Sequence, residues 1–178
     1  LIVGYGKLGG IELGHGSDLD MVFIHNATQG LNTDGERSVD NETFFARLGQ
    51  RILHILGTRM ASGVLYETDM RLRPSGNSGL LVCSLAAFEK YQRESAWTWE
   101  QQALVRARAI AGNQPLGEAF ELLRRQLMER ARGLDTLREE VGAMRNKMFD
   151  HLGSGAGAKA EGEFNLKQDR GGIVDIEF

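Results

Sequence analysis

The sequence predicts an α+β fold, in which a small mixed sheet in residues 1–82 is followed by a helical region in residues 83–152. Short apolar runs separated by glycine-rich turns dominate the first part, as is typical of strands. From Ser84 onward, apolar residues recur at three- and four-residue intervals, as is typical of helices. Residues 153–178 are expected to form a Gly/Ala-rich flexible linker and the start of a further element.

The sheet region contains three predicted strands and one long helix. Residues 1–3 are the end of a buried strand and lead into a glycine-rich turn at 4–10; residues 11–13 predict a helical turn. A second strand follows the Asp-x-Asp at 18–20. Apolar spacing over residues 41–62 predicts a helix that Asn41 caps and Gly63 ends. Residues 64–74 alternate apolar and polar side chains and predict a third strand.

The helical region begins at Ser84, whose side chain is expected to cap the first helix. Three further helices are predicted over residues 97–111, 115–133 and 134–152. Residues 164–167 predict one more strand.

Composition narrows the class of protein. The net charge of −3 and pI near 5.8 argue against a nucleic-acid partner, which usually requires a basic surplus. Cys83 is the single cysteine, so no internal disulfide is possible and a reducing cytoplasm is expected. No apolar run approaches the roughly 20 residues of a membrane helix, so no membrane partner is expected. Because the chain opens without Met, we expect a fragment of a longer protein.

Asp18 and Asp20 are the first candidate functional residues. In an extended chain they share one face, while Leu19 and Met21 pack on the other. Two like charges this close repel, and a cation between them relieves the repulsion. Carboxylate oxygens favour Mg²⁺, which also takes substrate phosphates as ligands. The alternative is a turn in which Ser17 and Asp18 cap the chain as it enters the strand.

The glycine spacing Gly4-x-Gly6-x-x-Gly9 allows two interpretations. It matches a dinucleotide-binding turn, but that site needs a long helix next and an acidic residue after the second strand. Further glycines at positions 10, 14 and 16 leave no room for that helix. A triphosphate held by backbone amides of the glycine turn, with Mg²⁺ on Asp18 and Asp20, accounts better for the pattern.

The predicted third strand carries four charged residues on one face. Asp69 could bring a third carboxylate to Asp18 and Asp20 if this strand lies beside the second. Arg71 and Arg73 share the face of Asp69 and are suited to neutralising charge on phosphates. An ordinary ion pair with Glu67 or another acid is the alternative for both arginines.

The order of these segments resembles the DNA-polymerase-β-like nucleotidyltransferase superfamily, and within it the glutamine synthetase adenylyltransferase family. The resemblance rests on segments that span the chain, namely GYGKLGG at 4–10, GSDLD at 16–20, DMRLRP at 69–74, WTWE at 97–100, VRAR at 105–108, and Lys167 with GGIVDIEF at 171–178. The superfamily has Gly-Ser at the phosphate turn, where this chain has Gly4-Tyr5. Gly6 or Ser17 would then take the place of that serine.

The resemblance implies an ATP- and Mg²⁺-dependent enzyme with two nucleotidyltransferase domains. One domain moves AMP from ATP to a tyrosine hydroxyl of glutamine synthetase, and the other removes it by phosphorolysis, under control of glutamine and the PII signalling protein. The sequence at residues 16–18 and 75–79 is more similar to the adenylylating half of the enzyme. The alternatives are the removing half and a regulatory domain that only binds nucleotide.

The resemblance also implies roles for individual residues. Asp18 and Asp20 would bind the metal, and Asp69 would complete its site and help deprotonate the tyrosine, with Glu67 as the rival for that role. The expected nucleotide contacts are Gly4, Gly6, Lys7, Ser17, Arg71 and Arg73. Lys167 and Asp175 belong to a recurring motif without an assigned role.

Overall fold

The computed structural model describes residues 1–154 and 164–177. They form two compact units, Leu1–Arg130 and Ala131–Phe178. The first unit contains β1 (Ile2–Gly4), α1 (Gly6–Gly9), β2 (Leu19–His25), α2 (Asn41–Leu56), β3 (Thr68–Asp69), β4 (Val82–Ser84), α3 (Leu85–Glu94), α4 (Thr98–Ala103), β5 (Arg108–Ala111) and α5 (Gln114–Met128). The second contains α6 (Leu134–Leu152) and α7 (Ile173–Glu177). The α+β class is confirmed, and the boundaries at residues 82 and 152 stay a prediction.

Strand β2 lies at the centre of a mixed sheet formed by the described residues. It pairs antiparallel with β1 on one side, and β1 pairs antiparallel with β5. On its other side β2 pairs parallel with β3 at its beginning and with β4 at its end. The sheet therefore contains both parallel and antiparallel pairs, as the sequence predicts.

The alternation of β2 divides the core between the two faces of the sheet. Val22 and Ile24 point into a cluster with Phe88 of α3 and Phe120 of α5. Leu19, Met21 and Phe23 join a second cluster, which α2 covers with Ile52 and Leu53. The prediction that Leu19 and Met21 pack on the face opposite the aspartates is confirmed. Burial on both faces explains the four consecutive apolar residues from Met21 to Ile24.

Helix α2 begins at Asn41 as predicted, but its cap and its end differ. Asp40 caps it, because the Thr43 amide donates to Asp40 Oδ2 at 2.9 Å. The helix ends at Leu56, and Gly57 closes it by donating to the carbonyl of Leu53 at 2.9 Å. The predicted extension to residue 62 is therefore wrong, since a glycine six residues earlier ends the helix.

The predicted strand over residues 64–74 is also wrong for most of its length. Only Thr68 and Asp69 pair with β2. The chain turns directly afterwards, because the Arg71 amide donates to Asp69 Oδ1 at 2.8 Å and the Arg73 amide to the Met70 carbonyl at 3.3 Å. Side-chain and turn hydrogen bonds thus take the place of the sheet ladder.

The predicted helix over residues 97–111 divides into three parts. After α4, a 3-10 turn over Leu104–Arg106 leads into β5. Residues Arg108–Ala111 pair with β1 instead of continuing the helix. Tertiary pairing therefore overrides the local helical pattern.

The other helices of this region agree better with the prediction. Ser84 caps α3 by accepting from the Ala87 amide at 3.1 Å, which confirms the predicted cap. Helix α5 has Pro115 in its first turn but ends at Met128, before the predicted Gly133. Helix α6 has the predicted bounds.

In the second unit, residues 164–167 form turns, so the predicted strand there is wrong. The buried Asp169 carboxylate accepts from the amides of Ser154 at 2.6 Å and Asn165 at 3.0 Å, which folds the segment on itself. Asp175 pairs with Arg145 of α6. Most of the predicted linker, residues 155–162, lies outside the described residues. None of the helices described is both long and apolar enough to cross a membrane.

Candidate active site

The glycine turn between β1 and α1 forms one side of the candidate site. The Tyr5 amide donates to the Asp20 carbonyl at 2.9 Å, which ties the turn to β2. Gly6 has φ +49°, and a β-carbon there would lie 2.7 Å from Asp20 Oδ2. Only glycine therefore fits between the turn and the Asp20 carboxylate. The predicted helical turn at 11–13 is wrong, because the helix of this turn is α1 and Ile11 has φ 61°.

Asp20 and Asp69 lie opposite each other in the parallel pairing of β2 and β3. Residues in register on neighbouring strands point to the same face of a sheet, so both carboxylates leave the sheet on one side. The Leu19 amide also donates to the Glu67 carbonyl at 2.7 Å. This hydrogen bond fixes the same register at the residue before Asp20. The structure thus brings together two of the three predicted metal ligands.

Arg71 binds the Asp69 carboxylate in the structure. Its Nε donates to Asp69 Oδ2 at 2.7 Å, and its Nη2 contacts the same oxygen. The hydrogen bond from Arg71 is the main cause that holds the pKa of Asp69 below its ordinary value. The same bond raises the pKa of Arg71, and the charges of Asp20 and Asp18 add to this effect. All three predicted carboxylates therefore act on one guanidinium group.

Asp18 and Ser17 precede β2. The Ser17 amide donates to the Gly14 carbonyl, and the Gly14 amide donates back to Ser17 Oγ, both at 3.1 Å. Ser17 is buried and closes this turn, as in the alternative of a cap before the strand, whereas Asp18 is exposed.

The remaining predicted contacts have different surroundings. Gly4 is buried in β1, where a β-carbon would lie 2.9 Å from Leu8 Cγ, and Lys7 is exposed on α1. Arg73 is turned into its own loop, where it donates to the carbonyls of Met70 at 2.8 Å and Asn77 at 3.3 Å. Arg73 therefore holds the loop after β3 in this structure.

Asp20 and Asp69 supply donor atoms of the type that magnesium prefers. In the described part of the chain, no three His, Cys, Asp or Glu side chains are grouped so that they could hold a metal together. Mg²⁺ usually takes one or two carboxylates and completes its coordination with substrate phosphates and water. Asp20 and Asp69, side by side and next to the glycine turn, meet that requirement. A metal ligand role for all three aspartates stays a prediction.

Arg108 and Glu100 were not predicted from the sequence as functional residues, and Arg108 contacts the glycine turn. Arg108 of β5 donates from Nε to the Gly9 carbonyl at 3.0 Å, at the end of the glycine turn. Glu100 is buried in α4 and accepts from the Tyr91 hydroxyl at 2.8 Å and the Trp97 amide at 2.9 Å. Both residues lie in motifs on which the family resemblance rests. A helix over residues 97–111 would not direct the Arg108 side chain toward the glycine turn, so this contact was not predicted.

Comparison with known proteins places this sequence in a family. Residues 1–122 match the family model described as glutamate-ammonia ligase adenylyltransferase. The chain is 59% identical over 186 residues to a protein of Pseudomonas syringae pv. tomato, with 100% of this chain and 19% of that protein covered. It is 56% identical to one of Pseudomonas putida, again with 100% and 19% covered, and 57% identical to one of Hahella chejuensis, with 99% and 18% covered.

Each of these relatives is named a bifunctional glutamine synthetase adenylyltransferase/adenylyl-removing enzyme. The chain spans about a fifth of their length, since 19% of the first is covered. The family model matches more than half of the chain, and its match includes the glycine turn, Asp20 and Asp69. The chain therefore belongs to the glutamate-ammonia ligase adenylyltransferase family.

Proposed function

We propose that this chain is the catalytic part of an enzyme that transfers AMP from ATP to a tyrosine hydroxyl of glutamine synthetase, with Mg²⁺. The single observation that carries the proposal is the register of Asp20 with Asp69 beside the glycine turn. Two aligned carboxylates next to a close backbone approach are suited to a metal-bound nucleotide. The names of the relatives support glutamine synthetase as the acceptor, and the tyrosine hydroxyl is what the resemblance implies.

Asp20 and Asp69 would hold the metal, with Asp18 as a further ligand at the exposed entry to β2. Mg²⁺ bound there would supply positive charge to the phosphates and to the pyrophosphate that leaves. Asp69 is paired with Arg71 in the structure. A metal on Asp69 would compete with Arg71 for this carboxylate, and a released Arg71 guanidinium would supply positive charge to the phosphates.

The glycine turn would bind the triphosphate of ATP. Gly6 lies at the surface of this turn next to Asp20, and Lys7 adds a positive charge one residue later. Gly4 would support the turn indirectly. It is buried in β1, and because it has no side chain, Leu8 can pack closely against it. Ser17 would support the entry of Asp18 through the turn that it closes. Arg73 would support the site by holding the loop after Asp69.

The reaction is an in-line displacement at the α-phosphorus of ATP. The tyrosine oxygen forms a bond to the α-phosphorus, and the bond from that phosphorus to the bridging oxygen of pyrophosphate breaks. The proton of the hydroxyl passes to a carboxylate, for which Asp69 is our candidate and the exposed Glu67 its rival. An aspartate carboxyl is ionised at neutral pH, and the hydrogen bond from Arg71 holds the pKa of Asp69 below its ordinary value.

Removal of AMP by phosphorolysis is the second candidate, because the names of the relatives include both activities. In that reaction an oxygen of inorganic phosphate would form a bond to the phosphorus of the tyrosine-linked AMP. The bond from that phosphorus to the tyrosine oxygen would break, which releases ADP and the free tyrosine. A domain that only binds nucleotide is the third candidate. Retention of Asp18, Asp20 and Asp69 argues against it, since a sensor has no need of the full set.

The proposal extends to the regulator, the cellular compartment and the partners of the enzyme. We expect the PII signalling protein as a regulator and the cytoplasm as the compartment, as the resemblance and the single Cys83 suggest. The net charge of −3 supports the absence of a nucleic-acid partner.

The decisive experiment uses a full-length family member that carries this sequence, because the chain spans 19% of a relative. The protein is incubated with labelled ATP, Mg²⁺ and glutamine synthetase, and in parallel with AMP-loaded synthetase and phosphate. Label on the synthetase supports transfer, and release of ADP from the loaded synthetase supports removal. Nucleotide binding with neither reaction would leave only the sensor. The same two assays on an Asp20→Asn variant show which activity belongs to this domain. An activity of the other nucleotidyltransferase domain should persist in that variant.

A further inference from the structure

Arg108 makes contacts that connect β5 to the glycine turn across the sequence. Its Nε donates to the Gly9 carbonyl at 3.0 Å and its Nη2 to the Leu8 carbonyl at 3.5 Å. These carbonyls lie at the end of the four-residue helix α1, where a helix has no partners of its own for its last carbonyls. An arginine at this end satisfies them and interacts favourably with the local dipole.

The pairing of the strands explains why Arg108 has this position. Gly4 of β1 lies opposite Arg108 of β5, so the side chain leaves β5 beside the point where the turn begins. Close packing fixes the other end of the turn, because a β-carbon at Gly9 would lie 1.9 Å from the Arg106 carbonyl oxygen. Beyond it, Arg106 Nη2 binds Glu12 Oε2 at 2.9 Å.

The hydrogen bonds of the turn show what Arg108 would stabilise. The Gly9 amide donates to the Tyr5 carbonyl at 2.9 Å and the Gly10 amide to the Gly6 carbonyl at 3.0 Å. Both bonds close the loop that contains Gly6, the residue that contacts Asp20. A change at the Gly9 carbonyl therefore reaches the candidate phosphate site through the main chain.

We propose that Arg108 is a positioning residue, which holds the glycine turn in the conformation that binds the nucleotide. This inference rests on the proposed function. Arg108 acts through the carbonyls of Leu8 and Gly9 and not through contact with the nucleotide. Its loss is expected to weaken nucleotide binding more than it slows the chemical step.

The test compares Arg108→Ala and Arg108→Lys with wild type in a full-length protein that carries this sequence. The first readout is hydrogen exchange of the Gly9 and Gly10 amides without nucleotide, and the second is the split between KM for ATP and kcat. Arg108→Ala is expected to speed exchange and to raise KM roughly tenfold, the factor that the loss of one charged hydrogen bond gives, with kcat within about twofold. Arg108→Lys keeps the charge but cannot form the two hydrogen bonds of the guanidinium group. Its exchange rates and its KM should lie between those of wild type and Arg108→Ala.

Arg93→Ala is the matched control, because Arg93 forms an exposed ion pair with Glu89 on α3. Unchanged exchange at Gly9 and Gly10 in Arg108→Ala would overturn the inference, as would a loss of kcat at constant KM. Full rescue of KM by lysine without restored protection would also overturn it, since it would indicate a direct charge effect on ATP. If the wild type transfers no AMP, the proposed function fails, while the exchange data still decide whether Arg108 holds the turn.

Discussion

Different forces hold the two sides of the candidate site. Asp20 belongs to β2, in which Val22 and Ile24 are 0% and 1% exposed and anchor the strand in the core. Asp69 belongs to a strand of two residues, and arginine side chains hold the loop that follows it. The Asp20 side therefore depends on packing, whereas the Asp69 side depends on charge. Apolar packing thus fixes one half of the site, whereas ion pairing and hydrogen bonds of arginine side chains fix the other.

The largest effect is expected for Asp20→Asn. The substitution would remove a proposed metal ligand from the side of the site that packing holds. AMP transfer should therefore fall about 100-fold or more, as for the loss of a main electrostatic contribution. The fold should persist, because Met21 and Phe23 keep their packing against α2. Transfer of labelled AMP measures the activity, and circular dichroism checks the fold.

Asp150→Asn, on the exposed side of α6, is the control and should keep wild-type activity. An Asp20→Asn protein that retains most of its activity would remove Asp20 from the mechanism.

Gly6→Ala should have the next largest effect. The new methyl group would lie 2.7 Å from Asp20 Oδ2, and alanine would have to adopt φ +49°. We expect a loss of stability of about 1 kcal/mol and at least roughly tenfold weaker ATP binding. Urea unfolding of the chain and nucleotide titration of the full-length protein measure the two effects. Gly35→Ala, with nothing within 4 Å, should change neither, and equal effects of both substitutions would contradict the assigned close approach.

Arg73→Ala tests how the Asp69 side is held. Arg73 donates to the carbonyls of Met70 and Asn77, so its removal should destabilise the loop locally by about 1–2 kcal/mol. Hydrogen exchange should speed up in residues 70–79 and stay constant in β2. Arg138→Ala, an exposed residue of α6, serves as the control. Slower AMP transfer with unchanged exchange in this loop would instead indicate direct contact of Arg73 with phosphate.

Arg71→Gln should have the smallest effect on stability and a defined pH dependence. Since the folded-state pKa of Asp69 is lowered, the pair stabilises the protein above the ordinary value of 3.8, and this contribution is lost as pH falls through the folded-state pKa. Arg71 is largely exposed, so the difference from wild type at pH 7 should be about 0.5–1 kcal/mol. Urea unfolding of the chain from pH 7 to pH 3 measures it. A difference that stays constant across this range would contradict the assigned pair.

Local chemistry made several elements predictable from the sequence. The apolar run from Met21 to Ile24 indicates a strand that is buried on both faces, and the structure has that strand. The cap at Ser84 and the bounds of α6 follow from side-chain type and helical spacing. Strand alternation also predicted that Leu19 and Met21 pack away from Asp18 and Asp20, and the structure confirms this packing.

Long-range contacts decided the elements that were predicted wrongly. Residues Arg108–Ala111 have helical spacing, but they pair with β1, about a hundred positions earlier in the chain. Residues after Asp69 alternate like a strand, but Arg71 and Arg73 bind the turn instead. Arg108 could not be assigned for the same reason, because its acceptor, the Gly9 carbonyl, lies 99 residues away.

We propose that Asp20 and Asp69 together hold a metal beside the phosphates of ATP. A crystal structure of the full-length protein with Mg²⁺ and a non-hydrolysable ATP analogue tests it most directly. We expect a metal within about 2.1 Å of an oxygen of each carboxylate, with Arg71 released from Asp69. A metal bound elsewhere, with the Asp69–Arg71 pair intact beside the bound nucleotide, would contradict it.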